Sequence, residues 1–257
     1  MKYAYSMYTW AIIFLSLLVV VASYIYRTFP LNIFIAVITT SVLDVLLKKF
    51  FLKRAISFPS SAIITGLIIG SIAPINSSFL VVLLASFVAI LSKYLIRIKG
   101  SHIFNPATLG LLVSLFAFSL GDEWWAAIGF NYLGYTLTLT PLLILPNFKA
   151  RKLAVSIPFL VIVGLLYYFT GFITISSNSV QGIVSFLVAM PYYFGFIMVS
   201  EPKTSPFKTK QQVAFGLFVG ILTFVLSFYS IKFALFIALL IGNLIYFLYR
   251  NYLAKTA

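Results

Sequence analysis

The chain has 257 residues, 62% of them hydrophobic and 9% charged, with a mean hydropathy of +1.11. That composition excludes a soluble globular domain of this length and points to a polytopic membrane protein. The absence of cysteine excludes disulfides, cysteine-held iron–sulfur clusters and thiolate metal sites. The net charge of +14 sits in short basic runs between apolar ones, which fits topology signals and anionic lipid headgroups better than nucleic acid.

In chain order, Tyr8 to Tyr26 reads as the first span. A signal peptide is the rival reading, but bulky Tyr24-Ile25-Tyr26 stands where a small-residue cleavage site belongs. Leu31 to Leu47 is the second span, closed by Lys48-Lys49-Phe50-Phe51-Leu52-Lys53-Arg54. It carries Asp44, the only acid well inside an apolar run. Two readings stand side by side. Asp44 pairs with Lys48 one turn on and snorkels to the interface, or it is a buried acid on an ion pathway. Ser60 to Ile75 is a short apolar run with Ser60 or Ser61 as cap and Pro74 closing it. Its Gly66 and Gly70 form a G-x-x-x-G pair that admits a second backbone at close range. Leu80 to Ile96 is a full span ending on Lys93, Arg97 and Lys99.

The next stretch, Lys99 to Gly110, passes the only histidine, His102, and enters a helix at Asn105-Pro106. Asn caps helix N-termini and Pro is pre-set for the first turn. The apolar run that follows, Ala107 to Leu120, is short of the roughly 20 residues that cross a bilayer. A lone histidine cannot supply a bis-histidine haem, which leaves His102 as a loop cap or as part of an ion pathway.

Gly121-Asp122-Glu123-Trp124-Trp125 is an acidic loop with an interfacial aromatic pair, and Ala126 to Leu145 is the next span. Lys149, Arg151 and Lys152 form the following loop. Leu153 to Thr170 spans, Gly171 to Val180 is an uncharged loop, and Gln181 to Ser200 spans with Pro191 inside. That run enters Glu201-Pro202-Lys203-Thr204-Ser205-Pro206. Gln212 to Ser230 and Lys232 to Tyr249 complete the series.

This makes ten crossings. With the N-terminus cytoplasmic, every Lys and Arg except Arg27 and Lys232 falls inside, and both termini are cytoplasmic in a cell membrane. A weak internal echo links Gly66–Leu91 to Met198–Leu222. It predicts one all-α membrane domain, 1–257, built of two inverted five-helix repeats over about 8–120 and 124–249. Irregular backbone at membrane depth needs protein or a water-filled cavity beside it. The breaks are therefore expected to place Thr65, Asn105, Pro106, Thr108, Glu201, Thr204 and Ser205 around one pocket. No nucleophile–base pair, phosphate loop or carboxylate pair points to independent enzymatic chemistry.

Three stretches carry a resemblance: Ser61-Ala62-Ile63-Ile64-Thr65-Gly66-Leu67 with Pro74, then Phe104-Asn105-Pro106-Ala107, then Met198-Val199-Ser200-Glu201-Pro202-Lys203-Thr204-Ser205-Pro206. In order and spacing they resemble the RnfD/NqrB family. Its members are membrane subunits of Rnf electron-transport complexes and of the sodium-pumping NADH:quinone oxidoreductase. Asp44 before Lys48-Lys49 resembles an acid that the family carries at the end of its second span. The resemblance implies a ten-helix inverted-repeat fold similar to that of urea and ammonium channels. It also implies membrane-held flavin, electron transfer coupled to ion movement, and other membrane or soluble redox subunits at the basic cytoplasmic face.

One departure matters. The family esterifies flavin mononucleotide (FMN) to a Thr in a Ser-Gly-Ala-Thr loop, and that sequence occurs nowhere here. The nearest remnant, Thr138-Leu139-Thr140-Pro141-Leu142, lies inside an apolar span. The expectation is therefore a non-covalent flavin, FMN or riboflavin, between the Asn105 helix and the Glu201–Pro206 turn. The alternatives are a transporter or channel on the same architecture without flavin, and a scaffold that anchors soluble redox partners.

Overall fold

The computed structural model describes residues 7–53, 55, 57–98, 101–126, 133–171 and 190–256. Lys99-Gly100, the start of the expected span at 127–132, most of the expected loop Gly171–Val180 and the expected helix over 181–189 lie outside the described residues. The chain divides into two compact units, Met1–Ile128 and Gly129–Ala257.

The first unit runs α1 (Met7–Tyr26), α2 (Leu31–Leu46), a π-helical turn (Leu47–Phe51), α3 (Ser60–Ile72), α4 (Phe79–Leu95), β1 (Arg97–Ile98), β2 (Ser101–His102) and α5 (Pro106–Ala117). The strands are a two-residue antiparallel ladder with Arg97 opposite His102. Left-handed residues end α1 and α5. Arg27 has φ 48° and Ser119 φ 55°, and the next N–H groups turn back to the Ser23 and Leu115 carbonyls at 3.1 and 2.9 Å. This is the Schellman stop, made here without glycine. α3 stops differently: Ala73 is extended before Pro74, because a prolyl ring disfavours helical backbone in the residue ahead of it. Its free end is closed by the acidic loop, where Glu123 N–H donates to the Ile72 carbonyl at 2.9 Å and Trp125 Nε1 to the Gly70 carbonyl at 2.7 Å.

Small residues set the packing of this unit. A Cβ on Gly66 would stand 2.6 Å from Val37 Cα and from Thr40 Oγ1, and one on Gly70 2.6 Å from Ile33 Cα, so α3 lies directly on the backbone of α2. The G-x-x-x-G pair does what its spacing predicts. A Cβ on Gly110 would collide with the Ala85 carbonyl, which brings α5 equally close to α4. Ser114 Oγ seals that contact by donating to the Val81 carbonyl at 2.6 Å.

The second unit contains α6 (Leu133–Ala150), α7 (Leu153–Phe169), a π-helical turn (Phe194–Val199), α8 (Thr209–Phe228) and α9 (Ala234–Thr256). α7 packs on α8, with Gly216 against the Val155 carbonyl, and α9 packs on α8 from another side. Schellman stops recur at Arg151 (φ 56°) and Ser230 (φ 54°).

The helix content agrees with an all-α membrane protein, but the expected ten spans in two inverted repeats are overturned. Among the described residues, four helices are long and apolar enough to cross a membrane: Met7–Tyr26, Leu31–Phe51, Thr209–Phe228 and Ala234–Tyr252. The reason is length. α3 and α5, with 13 and 12 residues, rise only about 20 Å. α4 and α7, with 17 residues each, rise about 26 Å. The hydrocarbon core is about 30 Å thick. These four segments have the hydropathy of spans without the reach, and most of α3 is buried against its own unit. The chain is a multi-pass membrane protein with short apolar helices packed beside spanning ones.

Candidate functional site

Asp44 anchors the most charged point inside the first unit. It sits near the end of α2 on the side that meets α4, and its residue is fully buried. Lys93 Nζ lies 2.7 Å from Oδ1, and Tyr94 donates its hydroxyl to the same oxygen at 2.8 Å. Lys48, one turn further along α2, reaches Oδ2 at 2.6 Å. Both carboxylate oxygens are thus held by ammonium groups, one of them almost fully buried. Beside the cluster, Ala62, Ile90 and Tyr94 form an apolar core with Leu43, Leu47 and Leu52 against it. This surrounding lowers the local dielectric and strengthens the pairing. Of the two sequence readings, the Lys48 pair and the buried acid are both present, in one cluster. Lys93 and Tyr94 are the partners that sequence reasoning missed.

The Asn105 entry is built as its sequence predicts. Asn105 Oδ1 accepts the Thr108 N–H at 3.0 Å and Pro106 occupies the first turn of α5. Thr108 is fully buried, and its hydroxyl has no hydrogen-bond partner among the described residues. His102 is buried in β2 just before this cap. Thr65 lies on the buried side of α3, and its hydroxyl returns to the Ser61 carbonyl at 2.9 Å.

In the second unit, Glu201, Thr204 and Ser205 come together in one tight turn. The Glu201 carbonyl accepts the Ser205 N–H at 3.0 Å and the Ser205 hydroxyl at 2.7 Å. The Thr204 hydroxyl donates to Glu201 Oε2 at 3.1 Å. Three side chains from elsewhere fasten the turn. Lys152, just before α7, is almost wholly buried and sends Nζ to the Ser205 carbonyl at 3.1 Å and to the Pro206 carbonyl at 2.6 Å. Asn243 of α9 donates to the Thr204 carbonyl at 3.2 Å, and Gln212 of α8 to the Phe207 carbonyl at 3.1 Å. Burial lowers the Lys152 pKa from 10.5 to about 8, and the negative charge of Glu201 opposes that fall. Behind the turn, Asn147 of α6 and Ser156 of α7 bond each other at 3.0 Å and cover the Phe196 and Gly195 carbonyls of the π-helical turn.

The sequence matches the NQR2, RnfD, RnfE family over residues 2–149. That is more than half of the chain and includes Asp44, Thr65 and Asn105. The chain belongs to the NQR2, RnfD, RnfE family. A curated relative is a subunit of the ion-translocating oxidoreductase complex of Cronobacter sakazakii (strain ATCC BAA-894), 34% identical over 92 residues. The match covers 35% of this chain and 26% of that protein, so the chain spans about a quarter of the relative's length. The family match takes in the whole Asp44 cluster, with Lys93 and Tyr94, and ends before Lys152 and the Glu201 turn.

Family membership raises the question of a flavin. The hydroxyls of Thr65, Thr204 and Ser205 and the amide oxygen of Asn105 all bond groups of their own chain. Each of these hydroxyls donates its proton and keeps lone pairs that can accept a further bond, as does the Asn105 amide oxygen. Thr108 Oγ1 is buried and has no hydrogen-bond partner among the described residues. Nothing in the sequence marks Lys93, Lys152, Asn147 or Asn243 as functional.

Proposed function

We propose that this chain is an integral membrane subunit of an RnfD/NqrB-type electron-transport complex, working in an assembly that couples electron transfer to ion movement. The observation that carries the reading is the family match over residues 2–149, which embraces a buried acid on a membrane-spanning helix. Intramembrane acids are costly to bury and mark ion or proton routes more often than they mark stability. In this reading Asp44 is the ion-handling group. A cation arriving at Oδ1 competes with Lys93 Nζ for the same oxygen, so ion occupancy and the ion pair exclude one another. Tyr94 holds the carboxylate in place while that exchange occurs.

Flavin chemistry belongs to the same proposal, with FMN or riboflavin held non-covalently, because the ester-forming Ser-Gly-Ala-Thr is missing. The cofactor would supply electron transfer. No step is routed through it. Partner redox subunits, membrane-bound or soluble, would meet the basic face at exposed Lys203 through charge complementarity.

The test is redox-driven ion uptake by vesicles carrying the assembled complex with wild-type chain or with Asp44→Asn. Loss of ion uptake with electron transfer retained is the expected result. Unchanged uptake would remove Asp44 from the route. A chain that purifies without redox subunits, shows no flavin band at about 450 nm and moves a solute alone would replace this reading with the transporter.

A further inference from the structure

α8 and α9 leave an open apolar groove of about 470 Å³ between them, lined by Lys210, Ala214, Phe218, Gly242, Ile245 and Tyr246 among others. Both helices are long and apolar enough to span a membrane. From Lys210 to Phe218 the groove runs about 12 Å along α8, from the basic end of the span into its apolar length. Its lining is almost wholly hydrocarbon and aromatic, and Ala214, Phe218 and Ile245 are exposed along it. Gly242 lets α9 pack closely on α8 beneath the groove, since a Cβ there would meet Val219 Cγ2 at 2.7 Å.

The mouth differs in kind. Lys210 lines it and is exposed, as is Lys208 one half-turn earlier. Arg250 of α9 lies 6.0 Å from the ring of Tyr246, a lining residue, and 5.8 Å from that of Phe247. Gln211 adds a polar side chain to the same rim. Cations at one end of an apolar slot on membrane-spanning helices match one chemistry: a negative headgroup with a hydrocarbon tail. A neutral ligand would leave the charges unanswered, and a free phosphate would leave the slot unfilled.

We propose that the α8–α9 groove binds an anionic phospholipid, with one acyl chain along Ala214, Phe218 and Ile245 and its phosphate against Lys210 and Arg250. Basic side chains near a bilayer surface each favour anionic lipid by about fivefold. The site therefore discriminates by charge at its mouth and holds by hydrocarbon contact along its length. This inference needs only that the chain spans the membrane, and it stands apart from the redox reading.

The test uses the full chain purified in detergent and delipidated, titrated with phosphatidylglycerol or phosphatidylcholine of identical acyl chains and read by native mass spectrometry. Phosphatidylglycerol is expected to bind more tightly, and the double variant Lys210→Gln/Arg250→Gln to erase about 25-fold of that preference. Ala214→Phe, which fills the exposed slot, is expected to weaken phosphatidylglycerol with the unfolding temperature unchanged. Equal affinity for the two lipids overturns the proposal. So does unaltered binding by Ala214→Phe, or displacement of the lipid by millimolar inorganic phosphate. A change of oligomeric state in Ala214→Phe would assign the groove to a second copy of the chain instead.

Discussion

Lys93 Nζ meets Asp44 Oδ1 at 2.7 Å across the contact between α4 and α2, joining two nearly inaccessible charges 49 positions apart in the chain. Neither charge could be left alone there. Removing one partner of a buried pair strands the other without solvent, at a cost of about 3–5 kcal/mol, whereas replacing both by apolar groups is often neutral.

Lys93→Met leaves Asp44 with Lys48 and the Tyr94 hydroxyl and is expected to destabilise the detergent-purified protein by about 1–3 kcal/mol, and Asp44→Leu/Lys93→Met to recover most of that loss. Lys48→Met, which removes an i, i+4 partner open to solvent on one side, is expected to change stability by at most about 0.5 kcal/mol. Thermal unfolding of the four proteins checks the order. Equal losses in the Lys48 and Lys93 variants would show that burial does not set the strength of this cluster.

Gly110→Ala is expected to destabilise by about 1–3 kcal/mol, because its Cβ would strike the Ala85 carbonyl and force α5 away from α4. Ala85→Gly should not rescue it, since the obstructing atom belongs to the backbone. Rescue in the double variant would mean that the helices meet elsewhere.

The buried Lys152 makes stability depend on pH in a definite direction. Folded, it releases its proton near pH 8; unfolded, near 10.5. Between those values the unfolded chain binds more protons, so wild-type stability rises with pH across that window and is flat in this respect below it. A neutral amine still donates to both the Ser205 and Pro206 carbonyls, so the turn survives deprotonation. Lys152→Met leaves those carbonyls unpaired and is expected to lose about 1–3 kcal/mol at pH 7. Its deficit against wild type should widen by pH 10. A deficit that stays constant would show that Lys152 titrates as an exposed lysine does.

Asn105→Ala removes the α5 cap and is expected to lose about 1 kcal/mol, whereas Asn105→Asp should be nearly neutral. Unfolding midpoints separate the two. Equal losses in both variants would assign the effect to the backbone rather than to the capping oxygen.

What could be read from the sequence was local. Asn105 and Pro106 announce a helix start because a cap and a first-turn proline act within four residues, and Gly66 and Gly70 announce close packing because they share one face. Family membership was legible from two short stretches that fall within the match, at 61–74 and 104–107, while the third, at 198–206, lies beyond it. The helix ends were not, because hydropathy counts apolar residues and not rise. Ser60–Ile72 is as greasy as a span and about 10 Å too short to be one. Asp44 exposed the other limit. Its neighbour Lys48 lies within reach along one helix, but Lys93 becomes a neighbour only once α2 and α4 are packed. Lys152 was hidden for the same reason: its bonds reach 53 and 54 positions ahead.

Where α3 lies on α2 and α5 on α4, main chain meets main chain with no cushion of side chains between them. Such seams lack lubricant. Sliding α3 along α2 by a single turn would drive Ala62 or Pro74 into a gap sized for a hydrogen atom. Each pair therefore moves as one rod, able to tilt as a body but unable to telescope. Any motion within the first unit must then arise at the joints between these paired rods, such as the contact of α2 with α4 that carries Asp44 and Lys93.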